Sequence, residues 1–265
     1  MKNTPFQGKT VIITGASMGI GREIALQLAD QAACLALAAR STEKLETVAS
    51  LCRQRGTRAI AVISDVSKES ECKALVERTV SQFGRIDVLV NNAGIGMRAR
   101  FEELPDLALL ERLMSVNFWG SVYCTRYALP HLKATSGRIV TVISGGGKFP
   151  TPGACGYSAS KHALAGFFDT LRIELRQTGV SVTAVYPEWV ATGISGRAPR
   201  ADGTPAADLY LHDKAGISPE VCARGILVAA ANRDREVIST KLKLGMVLAQ
   251  IVPHVTDDQA VRSYT

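Results

Sequence analysis

Short, continuously apolar, β-branched runs alternate along the chain with longer stretches whose apolar residues recur at helical spacing. Lys9–Thr14 (KTVIIT) predicts a first strand, followed by a helix from Ile20 to Gln31. Leu35–Ala39 predicts a second strand, Thr42–Arg55 a helix and Ala59–Ser64 a third strand. Lys68–Phe83 has helical period, with Leu75, Val76, Val80 and Phe83 on one side. Ile86–Val90, Arg138–Ile143 and Ser181–Tyr186 read as further buried strands, with long helices over 107–132 and 156–177 between them. Pro219–Asn232 and Glu236–Ser239 complete the alternation.

Strands apolar at every position are buried on both faces, and the strand–helix–strand rhythm places helices on each side of a parallel sheet. The expected fold is a doubly wound α/β domain of Rossmann type covering residues 1–265, a length that such folds reach as one domain. There is no internal repeat. One irregular stretch, rich in Gly, Ala and Pro between Ala191 and Ser218, predicts a lid over about 188–218, because long loops in compact domains are usually functional.

Composition narrows the class further. With 46% hydrophobic and 21% charged residues the chain is neither disordered nor fibrous. The opening MKNTPFQGKT has no apolar signal core, and the nearest approach to a membrane span, Leu244–Val255, is short and interrupted by Pro253. The net charge of +7 is spread without a like-charge block or an aromatic-interleaved basic stretch, so no nucleic-acid partner is expected. Six scattered cysteines without a CxxC read as reduced thiols, not as a disulfide or zinc framework, and the expected location is cytoplasmic.

The first strand runs into Thr14-Gly15-Ala16-Ser17-Met18-Gly19-Ile20-Gly21, where a helix begins. Glycines at 15, 19 and 21 allow a tight turn, close backbone approach to a diphosphate and close helix–strand packing, while the helix N-terminus offers N–H groups to phosphate. The second strand ends Ala38-Ala39-Arg40-Ser41, with no carboxylate before Glu43. A guanidinium cannot accept from a ribose diol but matches a 2′-phosphate, which favours NADP(H) over NAD(H). Tyr157 and Lys161 lie four apart on a predicted helix, Ser144 ends the strand before it, and Asn91-Asn92-Ala93-Gly94 follows the fourth strand.

In these motifs and their order the chain resembles the short-chain dehydrogenase/reductase family, within it the hydroxysteroid-dehydrogenase-like members. The matching elements are TGASMGIG, Asp65-Val66, NNAG at 91–94, Asn117, Ser144 and YSASK at 157–161, spanning nearly the whole length. The resemblance implies a seven-stranded sheet and a catalytic tetrad of Asn117, Ser144, Tyr157 and Lys161. It also implies cofactor contacts from Gly15, Ser17, Gly19, Ile20, Gly21, Arg40, Ser41, Asp65, Val66, Ala93, Gly94, Tyr157, Lys161, Pro187, Val190 and Thr192, with Asn91 steadying the central strand beside them. No metal is implied. Tyr157 would be the general acid and base, its pKa lowered by the Lys161 ammonium; Ser144 would hold the substrate oxygen, and Asn117 a water behind Lys161. The helices near 107–132 and 156–177 would pair with a second copy in a homodimer or homotetramer, with Phe167, Phe168, Leu171 and Leu175 as apolar surface.

The expected reaction interconverts a small-molecule carbonyl and an alcohol, in a pocket made apolar by Met97, Phe149, Pro150 and Trp189. One position departs from the family's pattern: Glu188 follows Pro187 where a glycine is usual. Its carboxylate points either into the pocket or to solvent, just as Arg98 and Arg100 either meet an acidic group or are solvated. The apolar tail from Leu244 either covers a partner copy or rests on a membrane surface. The competing function is a nucleotide-binding sensor without turnover, which an incomplete tetrad would have supported.

Overall fold

The computed structural model describes residues 4–209 and 216–264. Seven strands, β1 (Thr10–Thr14), β2 (Cys34–Ala39), β3 (Ala59–Ile63), β4 (Val88–Asn91), β5 (Arg138–Val142), β6 (Ser181–Tyr186) and β7 (Glu236–Ile238), form one sheet in the order β3-β2-β1-β4-β5-β6-β7. Every neighbouring pair is parallel. Between them run α1 (Gly19–Ala29), α2 (Thr42–Gln54), α3 (Glu69–Phe83), α4 (Ala108–Leu113), α5 (Gly120–Ala134), α6 (Cys155–Glu174) and α7 (Pro219–Asn232).

The strands behave as their composition requires. All positions of β1 and β2 are buried, and alternate side chains leave the sheet in opposite directions. Val11 and Ile13 join a core with residues of α1, α2 and α7, whereas Ile12 joins a second core with residues of α3, α5 and α6. Each such side chain contributes roughly 1.5–3 kcal/mol on burial, so both faces of the sheet must stay covered. Chain order reverses between β1 and β4, and a crevice opens at the carboxyl ends of strands at such a switch point. At the opposite rim the buried Asp87 carboxylate accepts from the Thr10 N–H at 2.9 Å and from the Arg85 guanidinium, fixing β4 beside β1.

Two expectations need correction. The long helix over 107–132 is divided: α4 passes into a π-helical turn, Met114–Trp119, before α5 begins. Gly120 lies so close to Val66 that a Cβ there would be 2.7 Å from the valine Cγ2, and the side chain of Asn117 is claimed by a neighbouring loop, so tertiary contacts override the regular helix. Phe168 and Leu175 of the second helix are buried in the core and are not surface, whereas Phe167 and Leu171 pack against it and stay partly exposed. Along these two stretches the large apolar residues that stand exposed are Leu107, Trp119 and Ile173, and more lie farther on in the tail.

That tail folds as two helices, α8 (Thr240–Ile251) and α9 (Pro253–Tyr264), with Pro253 at the first turn of α9, where its missing N–H costs nothing. One side of α8 rests on the body: Leu242 lies 3.5 Å from a Cβ placed on Gly145, and a Cβ on Gly245 would be 3.0 Å from the Phe149 ring. The other side exposes Leu244, Val247, Leu248 and Ile251 at helical spacing. No helix among the described residues is long and apolar enough to cross a membrane. The six cysteines are free thiols, five of them buried.

The lid expected over 188–218 leaves β6 as an irregular segment joined by a parallel bridge between Val190 and Ile217 and an antiparallel one between Pro199 and Pro205. Its residues 210–215 lie outside the described residues.

Candidate active site

A cavity of about 590 Å³ follows the switch point from Arg40 at the end of β2 to Ser144 and Tyr157. Its floor is made by two loops in backbone contact. Gly15 has φ +64°, and a Cβ there would lie 2.9 Å from Ala93 Cα; a Cβ on Gly21 would lie 2.5 Å from the Gly15 carbonyl oxygen. Thr14 Oγ1 donates to the Val90 carbonyl and accepts from the N–H groups of Asn92 and Ala93, at 3.0 and 3.1 Å. The Asn92 amide returns a bond to the Thr14 carbonyl at 2.9 Å. Met18, at the N-cap of α1, has no side-chain acceptor, which leaves the first N–H groups of that helix available to a ligand.

Arg40 is exposed and lines the cavity beside Ser41, Asp65 and Val66. Partial burial pulls the Asp65 carboxyl up, but the Ser67 hydroxyl and N–H, with the Arg40 charge behind them, overcome it and hold the group below its ordinary range. At the other end Ser144 has φ +142°, a conformation few non-glycine residues adopt, and accepts from the Gly146 N–H at 3.1 Å. Tyr157 stands beside Ser144, whose hydroxyl pulls the phenol pKa down. Lys161, one turn along α6, is buried; its Nζ donates to the Val142 carbonyl at 3.1 Å and lies 5.8 Å from the Tyr157 ring centre.

Asn117 is fully buried in the π-turn. Its Oδ1 accepts from Ile95 N–H at 2.9 Å, and its Nδ2 donates to the Ile95 carbonyl at 3.1 Å and to Ser160 Oγ at 2.9 Å. It thereby ties the loop after β4 to α6.

Burial governs the charges of this end. It pushes the Lys161 ammonium down to about 8, and it pushes the Tyr157 phenol up against the opposing Ser144 hydrogen bond. The expected lowering of the Tyr157 pKa by Lys161 is therefore reversed here. Desolvation disfavours the charged form of both groups, and the phenol stays protonated at neutral pH.

Of the sequence-derived site residues, Gly15, Ser17, Gly19, Ile20, Arg40, Ser41, Asp65, Val66, Ala93, Gly94, Ser144, Tyr157, Lys161, Pro187, Val190 and Thr192 line the cavity. Gly21, Asn91 and Asn117 do not. Gly21 packs beneath the turn, and Asn91 is buried, donating to Thr125 Oγ1 at 2.9 Å, because a residue in β4 must leave the sheet toward one helix layer. Asn92, one position later, lines the cavity.

The expected apolar interior also differs. Met97 is buried in a separate cluster with Ala99 and Leu113, Trp189 is half exposed, and neither they nor Phe149 and Pro150 line the cavity. Ile95, Val116, Ile194, Pro199 and Pro205 supply its apolar lining, and Arg112, Arg197 and Glu188 its further charges. Glu188 thus lines the cavity and is exposed as well. Arg98 and Arg100 lie outside the lining.

The residues present fit a dinucleotide: side-chain-free glycines where a diphosphate must approach, open N–H groups at a helix start, and a buried hydroxyl–ammonium pair at the far end. Residues 9–202 match the family model for short chain dehydrogenase, and the chain belongs to that family. It is 42% identical over 235 residues to 11-beta-hydroxysteroid dehydrogenase A of Arachis hypogaea, covering 86% of this chain and 67% of that one. It is 43% identical over 189 residues to 11-beta-hydroxysteroid dehydrogenase 1A of Arabidopsis thaliana, covering 71% of this chain and 54% of the relative, so it spans about half to two thirds of these proteins. Among solved structures, a short chain dehydrogenase/reductase from Burkholderia phymatum in complex with NAD superimposes with a TM-score of 0.84 at 25% identity, covering 93% of this chain and 96% of that one. An alcohol dehydrogenase from Thermococcus sibiricus complexed with 5-hydroxy-NADP gives 0.75 at 30% identity, covering 87% and 95%.

The Lys161 environment has a measurable signature. Its folded pKa, about 8, lies below the 10.5 of a free lysine, so the unfolded chain holds the proton more tightly and stability should rise as pH climbs from 8 toward 10.5. Denaturant unfolding at pH 7 and pH 9.5 should show a gain of about 2 kcal/mol from this group, absent in Lys161→Met. Parallel pH profiles for the two proteins would contradict the buried, desolvated lysine.

Proposed function

We propose that the chain is an NADP(H)-dependent oxidoreductase that interconverts a carbonyl and an alcohol, acting on an apolar ketone or aldehyde. The observation that carries this reading is the pairing, in one cavity, of the glycine turn at one end with Ser144, Tyr157 and buried Lys161 at the other. When bound, the nicotinamide supplies or accepts the hydride. Gly15, Ser17, Gly19 and Ile20 would hold the diphosphate side, Asp65 and Val66 the adenine side, and Lys161 with Val190 and Thr192 the nicotinamide side. Ser144 Oγ holds the carbonyl oxygen, and the protonated Tyr157 hydroxyl delivers the proton that the developing alkoxide needs. Asn117 holds the π-turn against Ile95 and Ser160, so the proton path behind Lys161 keeps its shape.

Arg40 favours NADP(H), since no carboxylate stands at the end of β2 to accept from a ribose diol. The apolar lining and the similarity to proteins named 11-beta-hydroxysteroid dehydrogenase favour a steroid-like or lipid-like ketone. The exposed Trp119, stacked on Tyr123, the partly exposed Phe167 and Leu171 of α6 and the exposed stripe of α8 favour a homodimer or homotetramer.

A carbonyl panel followed by NADPH absorbance tests the reaction, and turnover on any compound eliminates the pure sensor. In that assay Tyr157→Phe should lower kcat by about 10²–10⁴-fold with NADPH affinity within a few-fold, because only the transferable proton is removed. Near-normal turnover would remove Tyr157 from the chemistry. Arg40→Ala should weaken NADPH about tenfold and leave NADH unchanged, a charge-assisted contact being at stake; equal losses would mean that Arg40 does not read the 2′-phosphate. Light scattering should give a multiple of 28.3 kDa, and a monomer at micromolar concentration refutes self-association.

A further inference from the structure

The glycine turn carries no cation of its own. TGASMGIG holds no basic residue, and the next one, Arg22, already bonds the Glu23 carboxylate beside it. A helix N-terminus supplies only about half a positive charge, whereas a diphosphate carries two negative ones. The lid answers this from the opposite wall. Thr192 lies directly over the start of α1, its Cγ2 3.0 Å from a Cβ placed on Gly19. Arg197 reaches back along the lid and donates from Nη2 to the Thr192 carbonyl at 3.1 Å, and it lines the same cavity.

Three observations set Arg197 apart from a surface cation. Among the described residues it forms no ion pair, although Arg200, three positions on, is paired with Asp208. Among the described residues only one of its five N–H donors is used, which leaves four to meet a ligand. Its backbone is held in place: Ala198 is buried against Gly96, 3.1 Å from a Cβ placed there, and exchanges bonds with Ser195 and Ala206 at 3.0 Å. The other cations of the cavity wall are Arg40 and Lys161, which stand at its two ends, and Arg112 of α4.

We infer that Arg197 is the lid's diphosphate clamp: a guanidinium held by Thr192 beside the start of α1, which pairs with the bridging phosphates of the bound dinucleotide. The inference rests on the dinucleotide reading above and adds the source of the missing charge. It also couples the lid to occupancy, because the same side chain is anchored in the lid and reaches the ligand.

Binding of three probes separates this role from a strap that merely braces the loop: NADPH; 2′-phospho-ADP-ribose, which keeps the diphosphate without nicotinamide; and adenosine 2′-monophosphate, which lacks the diphosphate. Arg197→Gln should weaken the first two about tenfold or more and leave the third within twofold, with unchanged thermal stability. In the unmodified protein, added salt should weaken NADPH more steeply than adenosine 2′-monophosphate, a measurement that needs no variant. Equal weakening of all three probes, an unchanged NADPH affinity, or equal salt dependence overturns the clamp. Failure of the unmodified protein to bind NADPH, 2′-phospho-ADP-ribose or NADH instead refutes the dinucleotide reading itself.

Discussion

Everything at the candidate site depends on one close approach, the contact of the loop after β1 with the loop after β4. Gly15 meets Ala93 with no room for a side chain, Gly21 sits under the Gly15 carbonyl, and Thr14 binds the strand end and two N–H groups of the other loop. Because β1 and β4 are neighbours at the reversal of strand order, the contact occurs where helices diverge to either face and a crevice must open. It sets the distance between the floor of the cavity and the start of α1. It also fixes Gly94 and Ile95, and through Ile95 the Asn117 side chain on the far side. A single added methyl at Gly15 or Gly21 would be transmitted along this line.

The opposite end follows a different principle. There the chain buries two ionisable groups without an acidic partner, so solvent exclusion, not pairing, sets their protonation. The phenol is kept as a donor, and the lysine, still mostly protonated at pH 7, holds its proton less tightly than a free one. A bound cation or anion would shift both from this starting point. Ser144, held in an unfavourable backbone conformation between β5 and three glycines, stands beside the phenol and opposes its upward shift.

Much of this was legible in the sequence because the relevant signals are local. A strand buried on both faces must be apolar throughout, which made β1, β2 and β4–β6 readable, and the glycine turn and the Tyr157–Lys161 spacing each lie within one short segment. What escaped was set by distant contacts. The π-turn depends on Asn117 reaching Ile95 and Ser160, 22 and 43 residues away. That Asn92 lines the cavity and Asn91 does not turns on which side of β4 each leaves. Helical spacing shows that Phe167, Phe168, Leu171 and Leu175 cluster, but not what covers them. The apolar tail carried helical residues on every side, so its pattern gave no face to read, and Arg197 belongs to a loop where no periodicity exists.

The π-turn has a further consequence. It places one more residue in the helix than a regular α-helical path between α4 and α5 would hold, and each residue of an α-helix advances the face by roughly 100°. The turn therefore acts as a gear change. The α4 side chains Arg112 and Leu113 address the cavity and the loop under the lid, while Cys124, Ala128 and Leu132 of α5 address the sheet. Removing one residue between Met114 and Trp119 would leave a smoother helix whose two halves no longer agree on which direction is inward. An apparent irregularity thus keeps two otherwise incompatible faces in phase, and sequence length through this segment is constrained more tightly than sequence identity.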